Sequence, residues 1–364
     1  MNRLIEDHGV VLSLPNSSIS NFPSSVEVSS DGVFTLYYSR IQYDGDSVKF
    51  AVGRSIGVLG NMKQTEFSVT SQYVQPGKEK SPIIGNLPDG WMPTQVIHHQ
   101  LPNGDHRIWF WTHSPAEGIV RFLAADSVDN IVYNVVNPHK PCLWHYADRA
   151  VEDKLPELGG LVYNSHWGER PEYEPAALPE LVCNDATTLY LLPDGTFEIY
   201  SAVLCSCPEG SPEYIPWDNA PGKRRYIKRW ISKDGLNFTP TGTVLTFDSD
   251  DPPYLQFYYL AIRHCTNNKR QGFIGRYNVL EQTMDIEFCT SEDGVNFQRS
   301  AREPFFKRSP LELGLYTSNN PLVRYDNRDY CFYSSTNGLH NHKYCTGDVC
   351  TMEVRCISFP AVDL

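Results

Sequence analysis

Trp230-Ile231-Ser232-Lys233-Asp234-Gly235-Leu236-Asn237-Phe238 recurs downstream as Cys289-Thr290-Ser291-Glu292-Asp293-Gly294-Val295-Asn296-Phe297. Both stretches read S-x-D-G-x-x-F, and a worn copy, Ser127-Val128-Asp129-Asn130-Ile131-Val132-Tyr133, lies upstream. Asp-Gly and Asp-Asn supply the positive-φ residues of a tight turn, and the aromatic that follows opens the returning strand. A hairpin signal repeated at intervals of tens of residues predicts an all-β repeat architecture, a propeller.

Outward from these hairpins, five segments each pair an apolar or aromatic strand, a turn and a second aromatic-rich strand, with turns at Asp31-Gly32, Asn103-Gly104, Asp194-Gly195, Asn267-Asn268 and Asp326-Asn327. They begin near residues 22, 93, 184, 257 and 319, a spacing suited to four-stranded blades with insertions, and predict one five-bladed β-propeller domain over residues 1–364. The fifth unit offers a third strand in Thr351–Cys356 but no fourth. Val10-Val11-Leu12-Ser13-Leu14 would supply it from the other end, closing the ring and hiding its edges. No long stretch carries a 3.6-residue apolar period, so little helix is expected.

The composition agrees. The 364 residues are 41% hydrophobic and include 21 Tyr, 17 Phe, 25 Gly and 26 Pro, which suits many short strands joined by turns. A net charge of −12 argues against nucleic acid or an anionic membrane as partner. Ten cysteines are spread through strand-like runs such as Leu181-Val182-Cys183, and no C-x-x-C pair occurs, so neither a disulfide framework nor a zinc ribbon is expected. The amino end lacks the apolar core of a signal peptide, and no run of about 18 apolar residues occurs. A cytoplasmic protein with reduced thiols is expected.

The segment 137–181, rich in Pro, Glu, His and Trp, is the longest irregular stretch. Loops of that length in compact domains are usually functional. In a propeller, the connection from one blade's outer strand to the next inner strand crosses the face where the inner strands begin. The segment is therefore expected to roof an axial pocket.

Several stretches resemble the five-bladed propeller glycoside hydrolases, the group that includes the families numbered 32, 43, 68, 117 and 130. They are Asn184-Asp185-Ala186-Thr187-Thr188-Leu189-Tyr190 with Pro193-Asp194-Gly195, Asp285-Ile286-Glu287 before Ser291-Glu292-Asp293-Gly294, and Arg302-Glu303-Pro304-Phe305. The resemblance covers nearly the whole chain and assigns no single family. It implies a small oligosaccharide in the axial pocket and acids projecting from the inner strands of different blades. Two of these carboxyl groups would flank the glycosidic bond, about 5 Å apart for retention or about 6.5–9.5 Å for inversion.

The chain departs from that pattern. Its first inner strand reads Asn21-Phe22-Pro23-Ser24-Ser25-Val26 and its second Trp91-Met92-Pro93-Thr94-Gln95, while the fourth and fifth begin Gln256-Phe257-Tyr258-Tyr259 and Thr317-Ser318-Asn319-Asn320. Asp185 is the one acid at the mouth end of an inner strand. It is the first catalytic candidate, against an Asx turn capping the strand. Glu174 and Glu180 are candidates for its partner acid, against solvated loop charges.

Substrate contacts are expected from Trp91 and Trp167, whose rings suit sugar faces unless they only pack blades. His113 and His340 should lie at the pocket mouth, and His145, Asp148 and Arg170 in the roof. Tyr258 and Asn319 would line the funnel. Arg224 and Arg225 could clamp an anionic group or serve as surface charges.

The expected activity is thus glycosidase-like cleavage by paired carboxylates, with a carbohydrate as partner. No cofactor and no metal is expected. A metal-assisted hydrolase using His113, His340, His342 and Asp185 is the alternative from another enzyme class, and a non-catalytic carbohydrate-binding propeller is the third.

Overall fold

The computed structural model describes residues 5–14, 17–20, 24–44, 47–70, 81–145, 148–152, 181–182, 186–207, 209–216, 218, 222–265, 268–340, 346 and 350–361. These are strands and turns, with one helical turn, Arg149–Glu152. Among the described residues no helix is long and apolar enough to cross a membrane. Cys265, Cys289, Cys331 and Cys356 are unbridged thiols.

The plainest sheet is an antiparallel meander of Thr188–Leu191, Phe197–Ser206, Lys223–Ser232 and Thr239–Leu245, each beside its sequence neighbour. The period-2 alternation of a strand sends successive side chains to opposite faces. Here both faces are covered. Leu189, Ile199, Tyr226 and Trp230 pack with Ile97, Trp109 and Trp111 from the preceding sheet, whereas Tyr190, Tyr200 and Ile227 pack with Leu255, Phe257 and Ile274 from the following one. A sheet buried on both sides needs apolar residues at nearly every position, which explains the aromatic-rich strands.

The other described strands form sheets of five, eight and nine strands. The nine-stranded one consists of two antiparallel runs that meet at a single parallel pair, Met284 beside Gly314. In it Glu6–Leu12 lies antiparallel to Met352–Pro360, with Glu6 opposite Ser358 and Leu12 opposite Val354. The two end strands thus pair as the sequence predicts, although the first begins at Glu6 rather than Val10.

Each S-x-D-G copy sits between the third and fourth strands of its meander, and its side chains build the turn. Asp234 Oδ1 accepts from the backbone N–H of Leu236 and of Asn237, both at 2.8 Å, and Gly235 N donates to Ser232 Oγ at 2.9 Å. The copy at Asp293 repeats all three contacts at the same distances. In the worn copy Asp129 Oδ1 accepts from Ile131 N and Val132 N at 2.9 Å, and Asn130 takes the positive φ, 58°, that glycine takes elsewhere. These turns also tie neighbouring sheets together. The carbonyls of Asn130, Gly235 and Gly294 accept from Arg54 (3.1 Å), Trp109 (2.7 Å) and Tyr200 (2.8 Å), each on the preceding sheet.

Two expectations need correction. The last inner strand starts at Gly314, not near 319, because Gly314–Thr317 pairs with Tyr333–Thr336 before a break and a second short strand at Val323–Tyr325. The segment 137–181 is not irregular throughout. Leu143–His145 adds to the edge of the Ile119–Ser127 strand, and Leu181–Val182 pairs with it in parallel. Leu143 is drawn in because it is wholly buried in the core around Trp109 and Trp111. Residues 153–180 lie outside the described residues.

Candidate functional site

The inner strands converge. Asn319 Oδ1 accepts from Leu189 N at 2.8 Å and its Nδ2 donates to Leu189 O at 3.0 Å. Asn319 N donates to Ser24 O at 2.6 Å, Thr317 N to Tyr259 OH at 3.1 Å, and Thr188 Oγ1 to Leu260 O at 2.7 Å. His98 N donates to Ser25 Oγ at 3.1 Å and His99 Nε2 to Leu189 O at 3.0 Å.

Where these strands meet they leave a cavity of about 20 Å³. Ser24 lines it from the first inner strand, Gln95 and Ile97 from the second, Ala186, Thr187 and Thr188 from the third, Tyr259 from the fourth, and Thr317 and Asn319 from the fifth. All nine are uncharged. Gln95 is set by a bulge: Ile97 pairs with Trp109 and Thr94 with Trp111, so the extra residue is absorbed at Gln95, whose φ is 54°. A buried non-glycine residue in the left-handed region is held there by its surroundings.

Beside the cavity, at the end where the inner strands begin, lies a polar aromatic cluster. Arg225 Nη1 donates to Gln256 Oε1 at 2.5 Å and to Asp218 at 3.3 Å. Its guanidinium lies 5.1 Å from the Tyr258 ring centre and 5.7 Å from that of Tyr277. Tyr277 OH donates to Asp218 Oδ1 at 2.8 Å. Burial and then the Asp218 charge push the Tyr277 phenol far above its usual range, so it stays a hydrogen-bond donor. His340 caps the cluster, 4.9 Å from Tyr258 and 4.7 Å from Tyr277, with Nδ1 3.2 Å from Tyr316 OH.

The expected site residues fall in three places. Tyr258 and His340 belong to this cluster, and Asn319 lines the cavity with its amide committed to Leu189. Trp91, His113, His145 and Asp148 gather around the second sheet. There Asp148, with no exposed surface, accepts from Arg121 Nε at 2.9 Å, Val120 N at 3.1 Å and Ala150 N at 2.9 Å. Arg121 in turn sits 5.2 Å from the Trp91 ring and 5.1 Å from that of Trp144. Trp91 Nε1 donates to Glu117 at 3.2 Å. His113 stacks on Phe50 at 5.3 Å, and burial pushes its pKa down to about 4. His145 meets Trp111 edge-on at 5.9 Å. Asp185, Glu174, Glu180, Trp167 and Arg170 lie outside the described residues, as does His342.

Arg224 and Arg225 are not surface charges. Arg224 Nε donates to Leu255 O at 3.0 Å and its guanidinium covers the Phe247 ring, while Arg225 is the centre of the aromatic cluster. Gln95, Asp218, Tyr277 and Tyr316 carry no signal in the sequence. The bulge that aims Gln95 leaves no mark in its neighbours, and Tyr277 and Tyr316 look like any other strand aromatics. Among the described residues no three His, Cys, Asp or Glu side chains lie together as a metal site would need.

No protein-family model and no curated protein sequence matches this chain. Solved structures do match in shape. A structure of BT0996 in complex with RGII superposes with a TM-score of 0.60 at 12% identity, over 97% of this protein and 90% of that one. A family 117 glycoside hydrolase, Zg3597 from the marine bacterium Zobellia galactanivorans, gives 0.55 at 9% identity, over 100% and 92%. A thermostable family-43 glycoside hydrolase gives 0.53 at 12% identity, over 93% and 89%. The fold is that of the propeller glycoside hydrolases. At such identities the likeness concerns the propeller glycoside hydrolase fold alone, and no single family is assigned.

Proposed function

We propose that this chain is one five-bladed propeller domain, with blades starting near 22, 93, 184, 257 and 314 and Glu6–Leu12 closing the ring, and that it acts on a carbohydrate at the axial end where the inner strands begin. The proposed reaction is glycosidic bond cleavage. Asp185 serves as one carboxylate and Glu174 or Glu180, from the roof segment, as the other. The observation that carries this proposal is the position of Ala186. It lines the axial cavity, and Asp185 immediately precedes it in the sequence. The glycoside hydrolases among the structural neighbours support the substrate class, and so does the neighbour in complex with RGII.

The test is a screen of nitrophenyl glycosides and plant or algal oligosaccharides, read as released reducing ends and, separately, as binding. Cleavage lost in Asp185→Asn with binding kept supports the acid role. Neither cleavage nor binding across the panel would reject a carbohydrate substrate.

A second reading, a sugar-binding propeller without catalysis, has its own support. The described residues around the axial cavity include no carboxylate that could serve as a paired acid. Binding without turnover in the same screen would select it.

A further inference from the structure

Ser24 Oγ and Gln95 Nε2 are buried polar atoms with no hydrogen-bond partner among the described residues, and the Thr317 hydroxyl lies beside them next to the Tyr259 hydroxyl. Their residues are 3%, 4% and 1% exposed, come from three different inner strands, and line the same axial cavity. More than about nine in ten buried polar groups are paired with protein or ordered water, so two orphans and a hydroxyl with spare capacity around one space point to an occupant.

We infer that the axial cavity is a built water site, filled by one or two ordered water molecules that bridge the first, second and fifth inner strands. The volume of about 20 Å³ exceeds the roughly 10–15 Å³ that one water needs. It is far below the roughly 300–1,000 Å³ of pockets that take organic ligands. The cavity is therefore distinct from the place where an oligosaccharide would lie.

The donor and acceptor count fits water. An amide Nε2 only donates, while a serine or threonine hydroxyl donates or accepts. A water can accept from Gln95, donate to one hydroxyl and exchange roles with the other. A cation would face the amide N–H groups with no carboxylate in the described lining. An anion would enter without a cationic side chain to compensate it, in a protein of net charge −12. The bulge at Gln95 also acquires a reason: its φ of 54° turns a long amide into the axis, where a regular strand would direct it between sheets. None of this depends on whether the chain cleaves a glycosidic bond.

Two measurements on the full chain test the site. A crystal structure at a resolution that shows solvent should contain one or two ordered waters within about 2.7–3.2 Å of these three atoms. In a double-mutant cycle, Ser24→Ala and Thr317→Val should each lower the melting temperature by roughly 1–4 °C. Together they should lower it by clearly less than the sum, because both residues share one ligand. An empty cavity, additive shifts, or an anomalous peak there after a bromide soak would each overturn the water site. All three readouts are independent of saccharide turnover.

Discussion

His98 Nε2 lies 3.1 Å from His106 Nδ1, and the planes of the two imidazoles are close to parallel, 20° apart. The other His98 nitrogen, Nδ1, lies 2.5 Å from Glu27 Oε1. A carboxylate only accepts, so His98 donates through Nδ1, and a neutral His98 then accepts at Nε2 from His106 Nδ1. The hydrogen-bonded row links the first two inner-strand regions, with the Tyr37 ring stacked on His98 at 5.1 Å.

Acid should therefore loosen the protein through its histidines before its carboxylates. Burial and then His98 lower the pKa of His106, burial lowers that of His99, and burial takes His113 to about 4. These groups are neutral in the fold, whereas unfolded histidines take up protons near pH 6.5, so their contribution is present above about 6.5 and lost as pH falls. The melting temperature should hold from about pH 8 to 7 and decline between about 6.5 and 4. His113→Phe should flatten the lower part of that decline. A melting temperature constant down to about pH 4 would contradict the assignment.

Two glycines in positive-φ turns should respond differently to alanine. At Gly104 (φ 91°) an added Cβ meets nothing within 4 Å, whereas at Gly235 (φ 70°) it would lie 2.9 Å from the Trp109 ring. Gly104→Ala should cost about 1 kcal/mol for the backbone alone. Gly235→Ala adds overpacking and should cost about 2–4 kcal/mol. Equal losses in urea unfolding would count against the inter-sheet contact.

Glu198 is wholly buried. Although burial pushes its pKa up, His264 at 2.6 Å and the guanidiniums of Arg270 and Arg229 hold it at about 2. Glu198→Gln should cost roughly 3–5 kcal/mol by stranding those cations. Asp248→Asn, whose side chain is 51% exposed beside Arg302, should cost no more than about 1 kcal/mol. Denaturant titration of both variants gives the comparison.

Removing residues 1–16 should strip the Glu6–Leu12 strand from Met352–Pro360 and break the ion pair of Glu6 with Arg328 at 3.0 Å. The exposed edge should give an insoluble or molten product. A soluble deletion with an unchanged melting temperature would show that this pairing matters little.

Asp185→Asn keeps the size of the side chain and removes its capacity for proton transfer. On a substrate found by the screen, a rate loss of about 10²–10⁴-fold with an unchanged melting temperature is expected. Full activity would rule out Asp185 as a catalytic acid.

Turn chemistry was the legible part of this fold. Ser232, Asp234 and Gly235 act within three residues of one another, so their hydrogen bonds follow from the sequence string. Pairing of the end strands was legible because a four-strand pattern came up one strand short. The cavity was not, since Ser24, Gln95 and Thr317 are brought together by tertiary convergence, and the bulge that aims Gln95 shows only in the strand pairing, as a register shift opposite Trp109 and Trp111. The run after Glu312 hid the Gly314 strand because its pairing partners lie beyond a break. Asp148 looked like a loop acid, and only the fold brings Arg121 across to it.

The contact of His8 Nε2 with Ser358 Oγ, 2.8 Å long, spans 350 residues of chain. At translation rates of about 5–20 residues per second, Glu6–Leu12 waits roughly 20–70 s for its partner strand to be made. Throughout that interval the nascent chain carries an early strand that has nothing to pair with, beside meanders that can already form from neighbouring sequence. Final docking is then a late, non-local and slow step. Cells that make this protein quickly, or at low chaperone capacity, should accumulate it as an open, self-associating precursor, and the rate of that one docking event should set the yield.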